Sequence, residues 1–438
     1  MNDMNETVNT FRTNSIEVLE KKVKKPPKTK GNKANYLIRY LIFFNFMFLG
    51  FVNHLGYYLI LTSSQQFATK LGNESLIACY PLALIIFSCF TRLLNSKYCI
   101  NISFYIRIII LTLYFFIGYI GFFFILDNSK VKNNNNLAFW LTMIPTIIIG
   151  TGESLGEVTI LGYAGTLKGN YISGWNIGAA IAGVCGTFLS LLFKKLNTNF
   201  VYLFLSPISV LYLFIFMLTN LCGYKERKII NNKKFYKMHE QQVQNNSDSY
   251  FNEVNKNKVL NKKNFIYAFK MAYKYIINLT IINFLQYTIC YCFCERANKY
   301  KFINSKRTFF EKIQFETFLL FFELGVVVSN SCIFLIRKIK YLEIFTYLQF
   351  INFCLWFFES LTGFISNQWI CYMHLFFVGL CGGGANIGFL YEMFNSKLIS
   401  QRFKELCLNI CEFFMDWGIL ISSIISIIFD NTFMKVNR

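Results

Sequence analysis
Apolar residues in this chain come in long runs, and polar residues fill the blocks between them. Windows of about 20 mostly apolar residues, the length that crosses a bilayer as a helix, recur from Tyr36 to Phe429. Six lie in the first half: Tyr36–Leu61, Ser75–Leu94, Ile102–Leu126, Leu137–Gly162, Tyr171–Phe193 and Val201–Leu221. Five lie in the second: Phe269–Cys294, Gln314–Ile336, Leu342–Phe364, Trp369–Tyr391 and Phe403–Phe429. Between the halves, Cys222–Asn264 is rich in Lys, Asn and Gln, lacks apolar periodicity, and reads as a disordered linker. The pattern predicts an all-α polytopic membrane protein of about 11 helices in two bundles, 6+5, one helix short of a six-plus-six arrangement. Its expected layout is a disordered basic tail (1–35), a six-helix bundle (36–221), the basic linker (222–264), a five-helix bundle (265–430) and a short tail (431–438). The Asn133–Asn136 run reads as a low-complexity insertion in a loop.

Composition closes off the other classes. Hydrophobic residues make up 54%, charged residues 15%, and the mean hydropathy is +0.39. A soluble domain carries about 25% charge, and a disordered chain needs low hydrophobicity. The 51 Phe and 26 Tyr against 5 Pro exclude a collagen-like or loop-rich chain. Lys+Arg 44 against Asp+Glu 23 leaves a net charge of +21. That charge gathers in Arg12–Arg39 and Lys225–Lys263. Both stretches flank apolar spans, so the positive-inside rule accounts for them without a nucleic-acid partner. The rule puts the N-terminus and linker in the cytosol, with Arg92–Lys97, Arg337–Lys340 and Lys397–Lys404, and the C-terminus on the lumenal side. The loop Arg296–Lys312 runs against it, being basic on the expected outer side. The polar first 35 or so residues hold no cleavable signal, so the first span is expected to act as its own anchor. The 14 Cys sit mostly in apolar segments. Cys290, Cys292 and Cys294 alternate, and Cys407 and Cys411 lie one turn apart, but no pair has the His partners of a zinc site. They read as small buried hydrophobes, and neither a metal nor a cofactor is expected.

Glycine marks two spans at matching places in the halves. Gly150-Thr-Gly152-Glu153-Ser-Leu-Gly156-Glu157 lies in the fourth, and Gly379 through Gly388, with Gly382, Gly383, Gly384 and Asn386, in the tenth. The halves therefore read as a repeat, with softened helices around a midplane site or simply close packing. In the fifth span Gly174, Gly178, Ala182 and Gly186 recur every fourth residue, a stripe of small side chains for another backbone to lie against. Ionisable groups inside spans are costly and turn toward partners or water. Glu153 and Glu157 share a face; Arg107, Glu323, Glu359 and Asp416 are the others, with Asn53 and His54 adjacent in the first span and Asn330 beyond Glu323. For Glu157 the alternatives are a cavity carboxylate or a packing salt bridge with Arg107. His54 either titrates near neutral pH or is a hydrogen-bonded core residue. Trp175 and Tyr57 either stack on a substrate or pack, and Glu359 reads as interfacial. P-loop, dinucleotide, zinc-protease and Gly-x-Ser-x-Gly motifs are absent, so an enzyme is not expected. Asn73-Glu-Ser75 is a glycosylation triplet on a short expected lumenal loop.

Ser154-Leu-Gly156-Glu157-Val-Thr159, then Ile172-Ser-Gly174-Trp175 and the small-residue stripe to Gly183, resembles the battenin family. Leu49-Gly50, Asn53 and Tyr57, Gly325, Ser329 and Ser331, Gly379-Leu380, Gly382-Gly383, Asp416 and Gly418 extend the resemblance in order across nearly all spans. It implies a major-facilitator-like fold in lysosomal, vacuolar or late endosomal membranes, and a role in exporting glycerophosphodiesters or in basic amino-acid handling and organelle pH. It also nominates Glu157, Asn53, Tyr57, Trp175 and Asp416 as cavity residues. Departures from the family pattern are Gln286 for an acidic residue beside Tyr287, Asn330 for a basic one, and Ile86 for a Lys. Glu226-Arg-Lys-Ile229-Ile230 is one spacer short of an acidic-dileucine sorting signal. The expectation is an alternating-access carrier of a small polar metabolite, with Glu157 and Asp416 making polar contacts or coupling to protons. The alternatives are a non-transporting scaffold acting through the basic tail and linker, whose cytosolic partners are unknown, or an equilibrative nucleoside-type carrier.

Overall fold
The structure, a computed structural model, describes residues 30–99, 102–127, 134–167, 171–193, 198–241, 262–301, 313–365, 367–396, 398–399 and 403–432. Among the described residues every regular element is a helix. In chain order they are α1 (Lys30–Lys70), α2 (Cys79–Ile85), α3 (Ser88–Lys97), α4 (Phe104–Asp127), α5 (Asn135–Ala164), α6 (Ile172–Phe193), α7 (Thr198–Gln241) and α8 (Lys262–Thr288). There follow α9 (Cys294–Lys301), α10 (Gln314–Ser331), α11 (Ile333–Ile336), α12 (Ile344–Thr362), α13 (Gln368–Asn395) and α14 (Lys404–Asn431). A π-turn, Ile289–Phe293, joins α8 to α9. Helices are what long apolar runs must form in lipid, where each backbone N–H and C=O has to be satisfied within its own segment. Asn134 caps α5 by accepting from Leu137 N at 3.1 Å, Asn367 caps α13 by accepting from Trp369 N at 3.0 Å, and Gly363 ends α12 at φ 58°.

Nine helices among the described residues are long and apolar enough to cross a membrane. The chain is thus a multi-pass membrane protein. Two further windows, Ser75–Leu94 and Gln314–Ile336, become split elements. The first breaks at Ile86–Phe87 into α2 and α3. There Ser88 Oγ donates both to Leu84 O at 3.0 Å and to Gly150 O on α5 at 3.2 Å, tying the break to a neighbour. The second ends α10 at Ser331 and resumes as the single turn of α11. The stretch expected as linker differs from its reading. The sixth helix runs on to Gln241, because no Gly or Pro follows Gly223 and the Lys, Glu and Gln there are good helix formers. The next helix begins at Lys262, and the rest of that stretch lies outside the described residues, as do residues 1–29 of the tail expected at 1–35, whose last six residues already belong to α1.

Packing repeats between the halves. In the first, α1 lies against α6 and α2–α3 against α5; in the second, α8 lies against α14 and α10 against α13. Each pairing closes on glycine. A Cβ at Gly174 would come 2.7 Å from Phe43 O, one at Gly178 would overlap Met47 O, and one at Gly186 would meet Leu59 N at 3.0 Å, with Ala182 fully buried on the same stripe. At Gly150 it would overlap Leu84 O, at Gly379 Phe322 O, and at Gly418 it would come 2.5 Å from Thr280 O. The halves meet where α6 touches α10 and where α14 touches α2 and α3.

Candidate functional site: an acidic cavity between the halves
A cavity of about 150 Å³ lies along that meeting line. Its walls come from α1, α3, α5 and α6 in the first half and α8, α10, α13 and α14 in the second. The break after α2 lets α3 carry Arg92 into it, with that residue 3% exposed. Arg92 Nε donates to Asp416 Oδ2 at 2.6 Å and Nη2 to Asp416 Oδ1 at 3.1 Å, a two-pronged contact with α14. Its Nη1 donates to Glu157 Oε2 on α5 at 2.8 Å and lies 3.6 Å from Glu412 Oε2, one turn before Asp416. One guanidinium thus joins a first-half carboxylate to two second-half carboxylates. Glu153, one turn from Glu157, has Oε1 at 3.1 Å from His54 Nε2. Glu323 on α10 lines the opposite wall. Among the described residues, five carboxylates therefore face a single permanent cation.

Tyrosines and amides complete the lining. Tyr57 and Tyr287 hydroxyls meet across the halves at 3.2 Å. The Tyr57 and Tyr58 rings lie 5.6 Å apart, and so do those of Tyr287 and Tyr291. Tyr291 and Cys290 come from the π-turn, whose extra residue turns the helix relative to a plain α-helix. Gln286 Nε2 donates to Asn283 Oδ1 at 2.8 Å, Asn283 Nδ2 reaches Asn386 Oδ1 at 3.5 Å, and Asn330 Nδ2 donates to Asn176 O across the halves at 3.2 Å.

Of the residues singled out in the sequence, His54, Tyr57, Glu153, Glu157, Gln286, Glu323, Asn330, Asn386 and Asp416 line this cavity. Three do not. Asn53 stands behind it, fully buried, donating from Nδ2 to Glu153 O at 2.9 Å and accepting from Tyr212 OH at 3.4 Å. Trp175 is buried one layer back, its ring edge-on to His54 with centroids 5.4 Å apart. Arg107 sits three residues into α4 and bends to the helix end, donating from Nε to Ile102 O at 3.0 Å and lying 4.6 Å over the Phe104 ring. The partner of Glu157 is accordingly Arg92 rather than Arg107. Glu359, on α12, accepts from Ile365 N at 2.9 Å outside this cavity. Sequence reasoning missed Arg92 because a continuous second helix puts it at the cytosolic end. Glu412 had a signal, its one-turn spacing from Asp416.

His54, Glu153 and Glu157 present ligand atoms within 4.8 Å of one another. A divalent cation would have to share Glu157 with a guanidinium already at 2.8 Å, so the donor set suits an ion-pair network better than a metal centre.

The helix arrangement, two similar halves around a central polar cavity, is that of the major-facilitator class. Two solved structures of POT family transporters, one in complex with 5-aminolevulinic acid and one with a thioalcohol-conjugated peptide, each match at TM-score 0.54 and 15% identity, covering 90% of this chain and 91% of theirs. The model of the CLN3 protein family matches residues 44–436, and the chain belongs to that family. Battenin of Dictyostelium discoideum is 24% identical over 408 residues, covering 89% of this chain and 94% of the relative.

Proposed function
We propose that this protein is an alternating-access transporter of a small polar metabolite bearing a positively charged group, working in a lysosomal, vacuolar or late endosomal membrane. The observation that carries the reading is the charge of the cavity: five carboxylates and one guanidinium, walled by both halves. Unbalanced buried charge costs several kcal/mol per ion. Arg92 already serves Glu157 and Asp416, so the remaining carboxylates call for protons or a mobile cation. Tyrosine faces around the carboxylates suit an ammonium head. A cavity of about 150 Å³ favours a small solute over a macromolecular one. Basic amino acids fit this chemistry. So do glycerophosphodiesters with a cationic head, whose phosphate would need Arg92 released from a carboxylate. Exchanging such solutes across an acidic organelle would also bear on its pH. In transport, the two halves rock about the cavity, and the Arg92 clamp to Asp416 and Glu412 opens when α14 parts from α3 and α5.

The test is uptake of radiolabelled arginine and glycerophosphocholine into vesicles containing the purified protein. The expected result is saturable flux of at least one, lost or strongly reduced in Glu157→Gln. No flux of either, with the variant indistinguishable from wild type, removes the reading.

A further inference from the structure
We infer that His54 and Glu153 form a proton-binding site in the cavity wall, holding one exchangeable proton between His54 Nε2 and the Glu153 carboxylate. Its use in coupling rests on the transport reading above; its existence rests on hydrogen-bond geometry alone. His54 Nδ1 lies 2.9 Å from Gly50 O, one turn back on α1. A carbonyl oxygen has no proton to offer, so Nδ1 carries a hydrogen and donates it. In a neutral ring that leaves Nε2 with only a lone pair. Nε2 faces Glu153 Oε1 at 3.1 Å, and an ionised carboxylate is likewise only an acceptor. Two acceptors do not close to that distance in a buried site without a proton between them. The contact therefore contains one, written equally as imidazolium with carboxylate or imidazole with carboxylic acid.

The surroundings make this proton consequential. His54 is 8% exposed and Glu153 5%. Charged or titratable groups share the cavity with the pair from each neighbouring element: Glu157 from α5, Arg92 from α3, Tyr57 and Tyr58 from α1, Tyr287 from α8, Glu323 from α10, and Glu412 and Asp416 from α14. From α6 comes the neutral edge of Trp175. Arg92 is committed to Glu157 and Asp416, so among the described residues no permanent cation replaces the proton when it leaves. Departure sets two lone pairs face to face and adds one negative charge to the cavity. The ring and the carboxylate must then part, or a cation must take the proton's place. Glu153 is one turn from Glu157, the first-half anchor of the Arg92 clamp, so occupancy of the pair bears directly on the joint between α5 and α14. Glu157 and Asp416, the residues the sequence nominates for protons, are instead the ones already paired with a guanidinium.

The experiment uses the full-length protein and needs no substrate for its first arm. An imidazolium against an indole edge quenches its fluorescence, so tryptophan emission is followed against pH in wild type and in His54→Asn. Trp356, whose ring stacks on His374 with centroids 5.8 Å apart, contributes to both and cancels in the difference. The expected result is a single titration step in the difference, displaced in Glu153→Gln. The Gln amide still donates to Nε2 but cannot ionise, so it preserves the contact and separates a proton site from a packing pair. In the second arm, arginine and glycerophosphocholine flux is compared at acidic and neutral pH. The wild-type ratio should collapse toward unity in Glu153→Gln, whatever the absolute rate. A flat difference titration, or a step unmoved by Glu153→Gln, overturns the proton site even if transport is found. A clear step in a protein that moves neither solute keeps the proton site and overturns the transport reading.

Discussion

At the cavity a single guanidinium meets three carboxylates, and the physics of breaking such a contact is lopsided. Removing one partner of a buried ion pair strands the other, at about 3–5 kcal/mol. Arg92→Gln should therefore lower thermal stability in detergent by a cost of that order, and Arg92→Gln with Asp416→Asn should recover part of it, because less charge is left unpaired. If the double variant is no more stable than the single one, the clamp is not a coupled unit. Glu343 makes a contrast. It lies just before α12, outside the span, where a hydrogen bond from Lys274 at 2.8 Å holds its carboxyl below the ordinary range. That stabilisation is present above the ordinary carboxylate range and fades as pH falls through the lowered value. Lys274 is 48% exposed, and a pair so screened contributes only ~0–1 kcal/mol. Glu343→Gln should shift the melting temperature barely, and a large shift would contradict the screening. Four of the five acidic side chains of the cavity were legible because charge inside an apolar run stands out, and Glu412 was passed over although it lies one turn from Asp416. Arg92 was not legible, since its depth is set by a helix break that hydropathy averages away. Tyr58, Tyr287 and Tyr291 were not either, because an aromatic facing a cavity and one facing lipid look alike in a chain with so many.

Among elements, the pairing of α1 with α6 depends on backbone contact, which side chains of any size would prevent. Met47 O occupies the place a Cβ would take at Gly178. Overpacking a fitted site costs about 1–3 kcal/mol, and here the obstacle is backbone, which cannot swing aside. Gly178→Val should sharply reduce the folded, monodisperse fraction on size-exclusion chromatography. Gly121→Ala should not, because its Cβ would lie 3.4 Å from Pro145 Cβ, an ordinary contact. Equal tolerance at both positions would mean that α1 and α6 do not approach as described. This stripe was visible in the sequence as a four-residue recurrence of small side chains, and long apolar windows gave the helices their places. The break between α2 and α3 was invisible because its cause is not local: Ser88 bonds to Gly150, on another helix. The continuation of α7 was missed for a different reason, since low hydrophobicity speaks to burial and not to helix propensity.

For the whole molecule the question is which end faces which compartment, and two groups of contacts mark the ends. Gln66 late in α1 donates to Glu316 in the first turn of α10 at 3.2 Å, and Asn431 at the end of α14 reaches Ser75 O at 3.4 Å. The Asn176–Asn330 contact lies toward the other end, near the start of α6 and the end of α10. That second end also carries the N-terminal side of α1, the basic extension of α7, and Arg337 to Lys340. Clusters of Lys and Arg beside spans stay in the cytosol, so this end is expected to be cytosolic and the Gln66–Glu316 end lumenal. Crossing number then fixes the rest. With α2–α3 counted as one crossing, six crossings return the chain to the cytosol after α7. With α10–α11 also counted, five more leave the C-terminus in the lumen. Epitope tags before α1, at residue 250 and after residue 438 should respond to added protease in sealed organelles as cleaved, cleaved and protected. The two split elements are the ones below the length and hydropathy of a normal span, and the central and C-terminal tags interrogate one each. Protection of the central tag would mean that α2–α3 does not cross. Cleavage of the C-terminal tag together with the central one would mean that α10–α11 does not. Either result would also undo the cavity, because Arg92 and Glu323 reach it only if both split elements stand within the bundle.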